Sequence, residues 1–531
     1  MRKSYKIILM VISILLIGSI IIGTSYSMWV KTAIQKEQNI VNSSCFDIEF
    51  TESSSINLID AIPISDEAGL KKKPYTFTLK NTCNMNSKVT IALDVLSTST
   101  MSSSAIKTSL TKGDKSGTPT LLTSLDKKAE VDISGAKEAY ILGTDIIGAN
   151  KSKSYSLYLW MDEAVTIAEA SKSFSSKVVI VNTATEEEPP IEILGKEITD
   201  TTQIATDDPD NNIRYIGKEP SNYVYFNCSD YSNQSDSSCE KWRIIGVFKN
   251  ITKADGTKED LVKIVRANPI GSFFFDYKKN GVGTSTNDDG SNDWTDSQLM
   301  MLLNPKDYLK SGYTIENNIV KDSNGQAIYQ NMGSYYNGTS GCKPAAIAKG
   351  SSFSCSSIDF SSTGLKNDNT RNAIESVVWN LGSIEDYKTT VDNYYSAERS
   401  GVSYINHATT WTGKIGLIYP SDYAYATAGS SSPNRDTCLK ASLTEISQFG
   451  SYRLCLENNY FYIFSYWFLL SSAKDTYSEI YTEGQGVYPQ KSTGFNEYGV
   501  ASYPTLYLKS SVSISSGEGT SESPYQLSVI F

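Results

Sequence analysis

The sequence predicts a mainly β protein with an α+β C-terminal domain, preceded by one transmembrane helix. Three observations support this prediction: an uncharged apolar segment near the N-terminus, short alternating runs up to residue 185, and mixed strand and short-helix patterns after residue 211. We therefore predict four parts, which are a signal anchor or signal peptide over 1–30, a β-sandwich over 31–185, a linker over 186–210, and a C-terminal domain over 211–531.

The N-terminal segment is predicted to attach the chain to a membrane. Arg2, Lys3 and Lys6 precede a stretch that has no charged side chain from Ile7 through Val30. About 20 apolar residues span a bilayer core, and a helix satisfies its own backbone groups there. Because Lys and Arg resist translocation, the N-terminus should stay in the cytoplasm. The predicted location is therefore the cell membrane, single-pass, with the C-terminal part outside.

A cleaved signal peptide is the alternative for the same segment. Its apolar part is densest from Ile7 to Ile22, and Ser25-Tyr26-Ser27 is a small-x-small site that a signal peptidase accepts. Cleavage would release a secreted protein. Both alternatives place the remainder of the chain outside the cytoplasm.

The charge balance argues against a nucleic-acid partner. The formal net charge is −10, and no dense basic run follows the membrane segment. Phosphate binding requires clustered Lys and Arg, whose binding releases counterions. We therefore predict no nucleic-acid binding.

The eight cysteines are predicted to form disulfides, because an even cysteine count outside the cytoplasm indicates oxidised pairs. Eight cysteines allow 105 pairings. Pairing of sequence neighbours is favoured by short loops, since the last three couples are 11, 13 and 17 residues apart. The predicted couples are Cys45 with Cys83, Cys228 with Cys239, Cys342 with Cys355, and Cys438 with Cys455.

Catalytic and zinc chemistry have little support. The chain has no Cys-x-x-Cys pair and one histidine, His407, which would have to serve any Ser-His or Cys-His mechanism alone. We interpret His407 as a surface-loop residue, because constellations rather than single residues carry chemistry. No cofactor and no enzyme activity are predicted.

Residues 31–185 contain several segments in which apolar and polar residues alternate. This pattern, with many β-branched and aromatic residues, is typical of half-buried strands, and several such strands predict a β-sandwich. The segments are FDIEF (46–50), YTFTL (75–79), VTIALDV (89–95), YSLYLW (155–160) and KVVIV (177–181).

The region from about residue 20 to 185 resembles the TasA and camelysin family of secreted biofilm-matrix and cell-surface proteins. The resemblance is carried by GTSYSMW (23–29), YTFTLKNTC (75–83) and SKVTIALDV (87–95). It implies a jelly-roll-like sandwich that polymerises or decorates a bacterial envelope, with self-association through the sandwich. The metallopeptidase activity described for camelysin-like members is not expected here, because the region contains no histidine to ligate zinc.

The C-terminal domain should begin with a hairpin and contain two short helices. Residues 242–248 and 261–266 flank a turn at Asp255-Gly256, which predicts a hairpin whose first strand is central. Thr295 with Gln298 predicts a capping box for a helix that Asn304-Pro305 ends. A second helix is predicted over 369–380, because Ile374, Val377, Val378 and Leu381 have helical spacing and Gly382 follows; Trp379 should be core.

Residues 211–527 resemble an uncharacterised, highly paralogous family of surface domains in gut Firmicutes that is akin to C-type-lectin-like modules. The resemblance implies a C-type-lectin-like α+β fold and no enzyme activity. Members carry Arg-Pro before the last strand, whereas this chain has Tyr503-Pro504, so a role that rests on that arginine is not carried over. The shared motifs are NNIRYIG (211–217), NYVYFNC (222–228), CEKWRIIGVF (239–248), SNDWTDSQLMMLLNP (291–305), RNAIESVVWNLG (371–382), TWTGKIGLIYPSDYAYAT (410–427) and TLYLKSSVSI (505–514).

Two candidate sites follow from residue type. Asp288, Asp289 and Asp293 are close together around Gly290, and oxygen-rich loops of this kind bind calcium, although such clusters are also ordinary turns and caps. Near the C-terminus, rigid aromatic and small polar residues form a candidate ligand-binding surface, for which an exposed solvated hairpin is the alternative. Its residues are Tyr477, Tyr481, Tyr488, Asn496 and Tyr498.

These predictions combine into a non-enzymatic cell-surface recognition or adhesion protein. A β-sandwich stalk would be tethered to the bacterial membrane through residues 7–30 and would present a lectin-like domain to a surface glycan or protein ligand. The alternatives are a structural biofilm-matrix or surface-fibre subunit, and an envelope hydrolase that uses paired carboxylates.

Overall fold

The computed structural model divides the chain into two compact units, Met1–Glu197 and Ile198–Phe531, each described here by itself. Its described residues are 31–34, 46–50, 56–59, 61–112, 117–166, 169, 172–185, 187, 189–276, 291–344, 355–404, 407–446, 450–462, 467–474, 478–483, 486–491 and 500–529. Within these residues, no helix is both long and apolar enough to cross a bilayer. The predicted span, 7–30, lies outside them.

The N-terminal unit is built mainly from antiparallel strands, as predicted. Its described residues also form a short α-helix, α1 (Asp66–Leu70), and 3₁₀ helices at Ser103–Ala105 and Leu122–Ser124. Its strands are β1 (Lys31–Ile34), β2 (Phe46–Phe50), β3 (Ile56–Leu58), β4 (Tyr75–Asn81), β5 (Asn86–Leu96), β6 (Ile106–Lys112), β7 (Thr120–Leu121), β8 (Ala136–Ile147), β9 (Ser152–Met161), β10 (Phe174–Thr185), β11 (Glu192–Ile193) and β12 (Lys196–Glu197).

Two five-stranded sheets share the core of this unit. One has the order β1-β10-β5-β8 with β3 beside β10, and the other has the order β2-β4-β9-β6-β7. Alternate residues of β4 and β5, among them Phe77, Leu79, Ile91 and Leu93, are buried in one hydrophobic cluster that draws on both sheets. The alternation of apolar and polar residues in the sequence therefore identifies the face of each sheet that is buried between the two layers.

The boundary between the units falls inside the segment predicted as a linker. Strands β11 and β12 form a hairpin in the N-terminal unit, whereas residues 198–210 belong to the C-terminal unit. There Asp208 is buried and accepts a hydrogen bond from Arg214 Nε at 2.5 Å. The segment predicted as a linker thus includes a carboxylate that the fold pairs internally.

The C-terminal unit is α+β. Its helices are α2 (Gln298–Leu303), α3 (Ser334–Asn337), α4 (Asp368–Ala373), α5 (Val391–Arg399), α6 (Pro420–Tyr425), α7 (Arg435–Lys440) and α8 (Arg453–Glu457), with 3₁₀ helices at Thr201–Gln203, Trp294–Asp296 and Lys306–Tyr308. Its strands are β13 (Ile204–Ala205), β14 (Ile213–Tyr215), β15 (Tyr223–Phe226), β16 (Glu240–Thr252), β17 (Lys258–Arg266), β18 (Ser272–Phe273), β19 (Thr314–Glu316), β20 (Ile319–Lys321), β21 (Ala327–Gln330), β22 (Ser340–Cys342), β23 (Ser357–Asp359), β24 (Val377–Asn380), β25 (Thr410–Gly413), β26 (Ile415–Gly416), β27 (Trp467–Ser472), β28 (Ser478–Glu483), β29 (Gly486–Lys491), β30 (Val500–Ala501), β31 (Thr505–Leu508), β32 (Ser513–Ser516) and β33 (Gln526–Ser528).

The predicted hairpin is confirmed as the centre of the largest sheet in the described part of this unit. Its strand order is β13-β14-β16-β17-β31-β26, and β15 also pairs with β16. Gly256 in the connecting turn has φ +82, a conformation that glycine adopts without strain. Gly246 is required in β16 for a different reason, because a Cβ there would lie 2.0 Å from the Ile213 carbonyl oxygen on β14.

Two local predictions in this unit are wrong. The first helix exists, but its N-cap is Ser297 rather than Thr295, and Asp293 caps the preceding 3₁₀ turn instead. The helix predicted over 369–380 ends at Ala373 and gives way to β24, which pairs with β25. Val377, Val378 and Trp379 favour a strand locally, and the partner strand decides the outcome. Trp379 is core, as predicted.

Three of the predicted disulfides are confirmed, all in the C-terminal unit. They join Cys228 to Cys239, Cys342 to Cys355, and Cys438 to Cys455. The fourth couple stays a prediction because Cys45, the expected partner of Cys83, lies outside the described residues.

Candidate functional site

A cavity of about 340 Å³ lies in the C-terminal unit where the end of β16, strands β24 and β31, helix α5 and the start of α6 meet. We call it the aromatic cleft. Its volume is near the lower end of the range for small-molecule sites, about 300–1,000 Å³. It is lined by Asp210, Asn212, Phe248, Lys249, Asn250, Ile251, Thr252, Val378, Asn380, Tyr395, Arg399, Tyr419 and Tyr507.

Helix α5 contributes a stacked pair of side chains to the cleft. Tyr395 and Arg399 are four residues apart and therefore lie on one face of the helix. The Arg399 guanidinium carbon is 3.5 Å from the centre of the Tyr395 ring and 5.3 Å from that of Tyr419. Stacking on an aromatic ring holds the planar guanidinium in a fixed orientation.

Arg399 uses only part of its hydrogen-bonding capacity within the described residues. Its Nη1 donates to Glu398 Oε2 at 2.8 Å and to the Tyr395 carbonyl oxygen at 3.2 Å. In the described part of the chain, neither Nε nor Nη2 has a hydrogen-bond partner. With 21% of its side chain exposed, Arg399 lines the cleft and retains N–H groups for a ligand.

Glu398 is the ion-pair partner of Arg399. It is 1% exposed and accepts hydrogen bonds from the backbone N and the hydroxyl of Ser421 at the start of α6. Burial raises the pKa of the Glu398 carboxyl. Its contacts connect α5 to α6, so the two helices that line the cleft are held together.

Two tyrosines of the cleft, Tyr395 and Tyr419, are held by their own hydroxyl groups. Tyr395 Oη donates to Asp210 and accepts from Asn212 Nδ2 at 3.1 Å. Tyr419 Oη accepts from the backbone N of Asn380 at 2.9 Å. A ring fixed at both ends loses little conformational entropy when a ligand binds.

A fully buried charge network lies beneath the cleft. Asp422 accepts from Lys263 Nζ at one oxygen and from Arg214 Nη1, at 2.9 Å, at the other. Arg214 also donates to Asp208. Although burial opposes the shift, Lys263 and Arg214 lower the pKa of Asp422 to about 2. Burial lowers the pKa of Lys263 to about 8.

The Lys263 ammonium is surrounded by aromatic rings. Its Nζ is 4.3 Å from the centre of the Tyr419 ring and between 5.3 and 5.5 Å from those of Phe248, Trp379 and Tyr507. Three of these rings also line the cleft. The network therefore positions the aromatic wall, while Lys263 itself does not reach the cleft.

The candidate ligand surface near the C-terminus is described only in part. Strands β28 and β29 pair, and Tyr481 is opposite Tyr488 in the backbone register. The structure thus brings these two predicted positions together. Tyr477, Asn496 and Tyr498 lie outside the described residues.

At Asp293, part of the predicted calcium site, both carboxylate oxygens already accept hydrogen bonds from the protein. One oxygen of Asp293 accepts from the Thr295 backbone N and hydroxyl, and the other accepts from Lys310 Nζ at 2.9 Å. Asp288 and Asp289 lie outside the described residues. Elsewhere in the described chain, no group of three or more His, Cys, Asp or Glu residues has a metal-binding arrangement.

His407 is half-buried in the segment between α5 and β25. Its backbone N donates to the Ser403 hydroxyl at 3.0 Å. The position agrees with the predicted loop histidine. Tyr503, which precedes Pro504 at the start of β31, is buried and its ring centre is 4.6 Å from that of Trp467.

A larger groove, of about 640 Å³, lies elsewhere in the C-terminal unit. Tyr308, Tyr336 and Lys414 line it. Lys414 Nζ donates to the carbonyl oxygens of Arg371 and Ile374. Two of its hydrogen-bond donors are therefore already occupied by the protein backbone. The aromatic cleft is the stronger candidate because its arginine keeps N–H groups for a ligand.

Sequence reasoning missed the aromatic cleft. Its residues come from five separate elements, and only the Tyr395–Arg399 spacing in DNYYSAER (392–399) gives a local signal. An aromatic residue four positions before an arginine on a short helix indicates a stacked pair. The sequence does not reveal what that pair faces.

Comparisons with known proteins do not assign the chain to a family. No family model and no curated protein matches it. Among solved structures, it matches "Structure of infectious bursal disease virus Gt strain" with 7% identity and a TM-score of 0.14, over 30% of this chain and 33% of that chain. This chain thus spans about a third of the viral protein, and a likeness this weak carries no argument.

Proposed function

We propose that the chain is a non-enzymatic cell-surface recognition or adhesion protein whose C-terminal unit binds a surface glycan in the aromatic cleft. The single observation that carries the proposal is a cavity lined by four fixed aromatic rings, three asparagines and one partly unsatisfied arginine. Aromatic surfaces with a few placed polar groups are typical of small-ligand sites.

The chemistry of the cleft suits a hydroxyl-rich ligand. Asn250 and Asn380 line it, and no side-chain hydrogen bond is made by either amide group within the described residues. Each amide offers two donors and one acceptor oxygen, which matches the mixed demands of sugar hydroxyl groups. Ile251 and Val378, which are half-buried, supply apolar contact for the C–H faces of a sugar ring.

Location supports the same function. The uncharged segment 7–30 would tether the chain to a bacterial membrane or direct its secretion. Three disulfides in the C-terminal unit suit an oxidising compartment outside the cytoplasm. In this proposal the N-terminal sheets are a TasA-like stalk and the C-terminal unit is C-type-lectin-like.

Capture on an array tests this proposal. The full chain, purified in mild detergent, would be applied to immobilised bacterial and host glycans and to envelope proteins. Thr252→Trp would fill the cleft, whereas Ser362→Trp places the same side chain at an exposed site outside its lining.

Glycan capture that Thr252→Trp abolishes and Ser362→Trp preserves supports the proposal. Capture that both variants preserve, or filament formation without capture, would overturn it. Turnover of an envelope polysaccharide by the wild-type chain would point to the hydrolase alternative instead.

A further inference from the structure

Two arginines of the C-terminal unit bind a carboxylate through the same edge of the guanidinium. In Arg266, Nε and Nη2 donate to the two oxygens of Glu240 at 2.9 and 3.1 Å. In Arg435, the same two nitrogens donate to the two oxygens of Asp207, both at 2.8 Å. This edge of the guanidinium matches the geometry of a carboxylate and binds it through two parallel hydrogen bonds.

In Arg399, which lines the aromatic cleft, that same edge makes no hydrogen bond within the described residues. Its Nη1 is used by Glu398 and the Tyr395 carbonyl, whereas Nε and Nη2 have no partner in the part of the chain that the structure describes. Stacking on Tyr395 fixes the plane of the edge. Arg399 therefore offers a rigid two-point donor to a ligand that enters the cleft.

The charges around the cleft favour an anionic ligand over a cationic one. Lys249 also lines the cleft and makes no ion pair with a described residue. Asp210, the one carboxylate among the lining residues, already accepts a hydrogen bond from the Tyr395 hydroxyl. The lining thus carries two cations and one carboxylate, in a chain whose net charge is −10.

We propose that the ligand is an acidic saccharide, whose ring carboxylate is bound by Nε and Nη2 of Arg399 and whose hydroxyl groups contact Asn250, Asn380 and Asp210. This inference rests on the proposed function and specifies its ligand class. A saccharide is favoured over a peptide carboxylate because Asn250, Asn380 and Thr252 add separate amide and hydroxyl side chains to the lining.

Matched ligand pairs test the inference. The full chain in mild detergent would be titrated with uronic-acid and N-acetylneuraminic-acid oligosaccharides, each beside its carboxyl-reduced counterpart. A short peptide with a free C-terminal carboxylate, and the same peptide as its amide, form a second arm. The variants are Arg399→Lys and Lys249→Met, with Arg453→Lys and Lys440→Met as matched controls at exposed positions outside the cleft.

The wild-type chain should bind at least one acid form about tenfold or more tightly than its reduced form, because a charge-assisted pair of hydrogen bonds is lost on reduction. Arg399→Lys should reduce the ratio of the two affinities to near one, because lysine keeps the positive charge but lacks the planar pair of N–H donors. Lys249→Met should weaken the acid form less, and both controls should leave the ratio unchanged. Because both affinities in this ratio are measured on the same protein sample, the ratio does not change if a variant is partly unfolded.

Equal binding of acid and reduced saccharides would overturn this inference and leave the proposed function standing. Binding of the peptide acid alone, or a ratio that Arg399→Lys leaves unchanged, would also overturn it. If no saccharide is bound in either form, the inference fails, and glycan capture on the array then decides the proposed function separately.

Discussion

Arg214 Nη1 donates to Asp422 Oδ1 across 2.9 Å, although the two residues are 208 positions apart in the chain. The bond joins β14 to the first turn of α6, and both side chains are buried. Asp422 Oδ2 also accepts from the Tyr419 backbone N at 3.1 Å. The pair therefore fixes the start of the helix that carries Tyr419 into the aromatic cleft.

Asp422→Asn should destabilise the C-terminal unit by about 3–5 kcal/mol, because removing one partner leaves buried cations uncompensated. Lys263 and Arg214 would then lose their shared carboxylate. Urea unfolding would measure the loss. The control Asp436→Asn breaks an exposed pair with Lys440 and should change stability by less than about 1 kcal/mol. A loss at Asp422 no larger than that of the control would contradict the prediction.

The stabilisation from Asp422 should depend on acid pH. Its folded-state pKa, about 2, is below the ordinary value of 3.8. A depressed carboxyl pKa contributes stability that is fully present above the unfolded value and is lost as pH falls through the folded value. The stability difference between wild type and Asp422→Asn should thus be constant above about pH 5 and shrink between pH 4 and 2. A difference that stays constant to pH 2 would refute this assignment.

Removal of the Cys438–Cys455 disulfide should destabilise the C-terminal unit by about 3 kcal/mol in the chain-entropy account. The bond closes a loop with a sequence separation of 17 and is buried at both ends. The double variant Cys438→Ser/Cys455→Ser, compared with wild type by urea unfolding, gives the value. Unchanged stability on mutation, together with free thiols in the wild-type protein, would show that the bond does not form.

Gly246→Ala should destabilise the sheet beneath the cleft by about 1–3 kcal/mol, the range for overpacking. The added methyl would meet the Ile213 carbonyl oxygen and the Arg214 Cα, both backbone atoms that cannot rotate away. As a control, a Cβ at Gly143 would have its nearest neighbour at 3.6 Å, an ordinary contact. Circular dichroism melts of both variants would compare them; equal melting temperatures would contradict the account.

The predicted strands of the N-terminal unit were found where expected because their signal is local. Residues such as Phe77 and Leu79 are buried while their neighbours in the strand are half-buried or exposed, and that period is visible in the sequence. The segment around Val377 misled the prediction because its spacing fits a helix, while its pairing with β25 is a contact between distant parts of the chain.

The aromatic cleft could not be predicted for the same reason. Arg399 is predictable as a surface residue at a helix end, but its role depends on Tyr419, Tyr507 and Lys249, which reach it only through the fold. Asp208 shows the converse error, since it falls in the segment predicted as a linker while the fold buries it against Arg214. Local composition does not specify which charges become paired.

The most direct test of the account is hydrogen–deuterium exchange of the full chain with and without the glycan captured on the array. Bound ligand should slow exchange in residues 248–252 and 391–399, which line the aromatic cleft, and leave 478–491 unchanged. Protection confined to 478–491, where Tyr481 and Tyr488 pair, would place the ligand on the C-terminal hairpin and contradict the account.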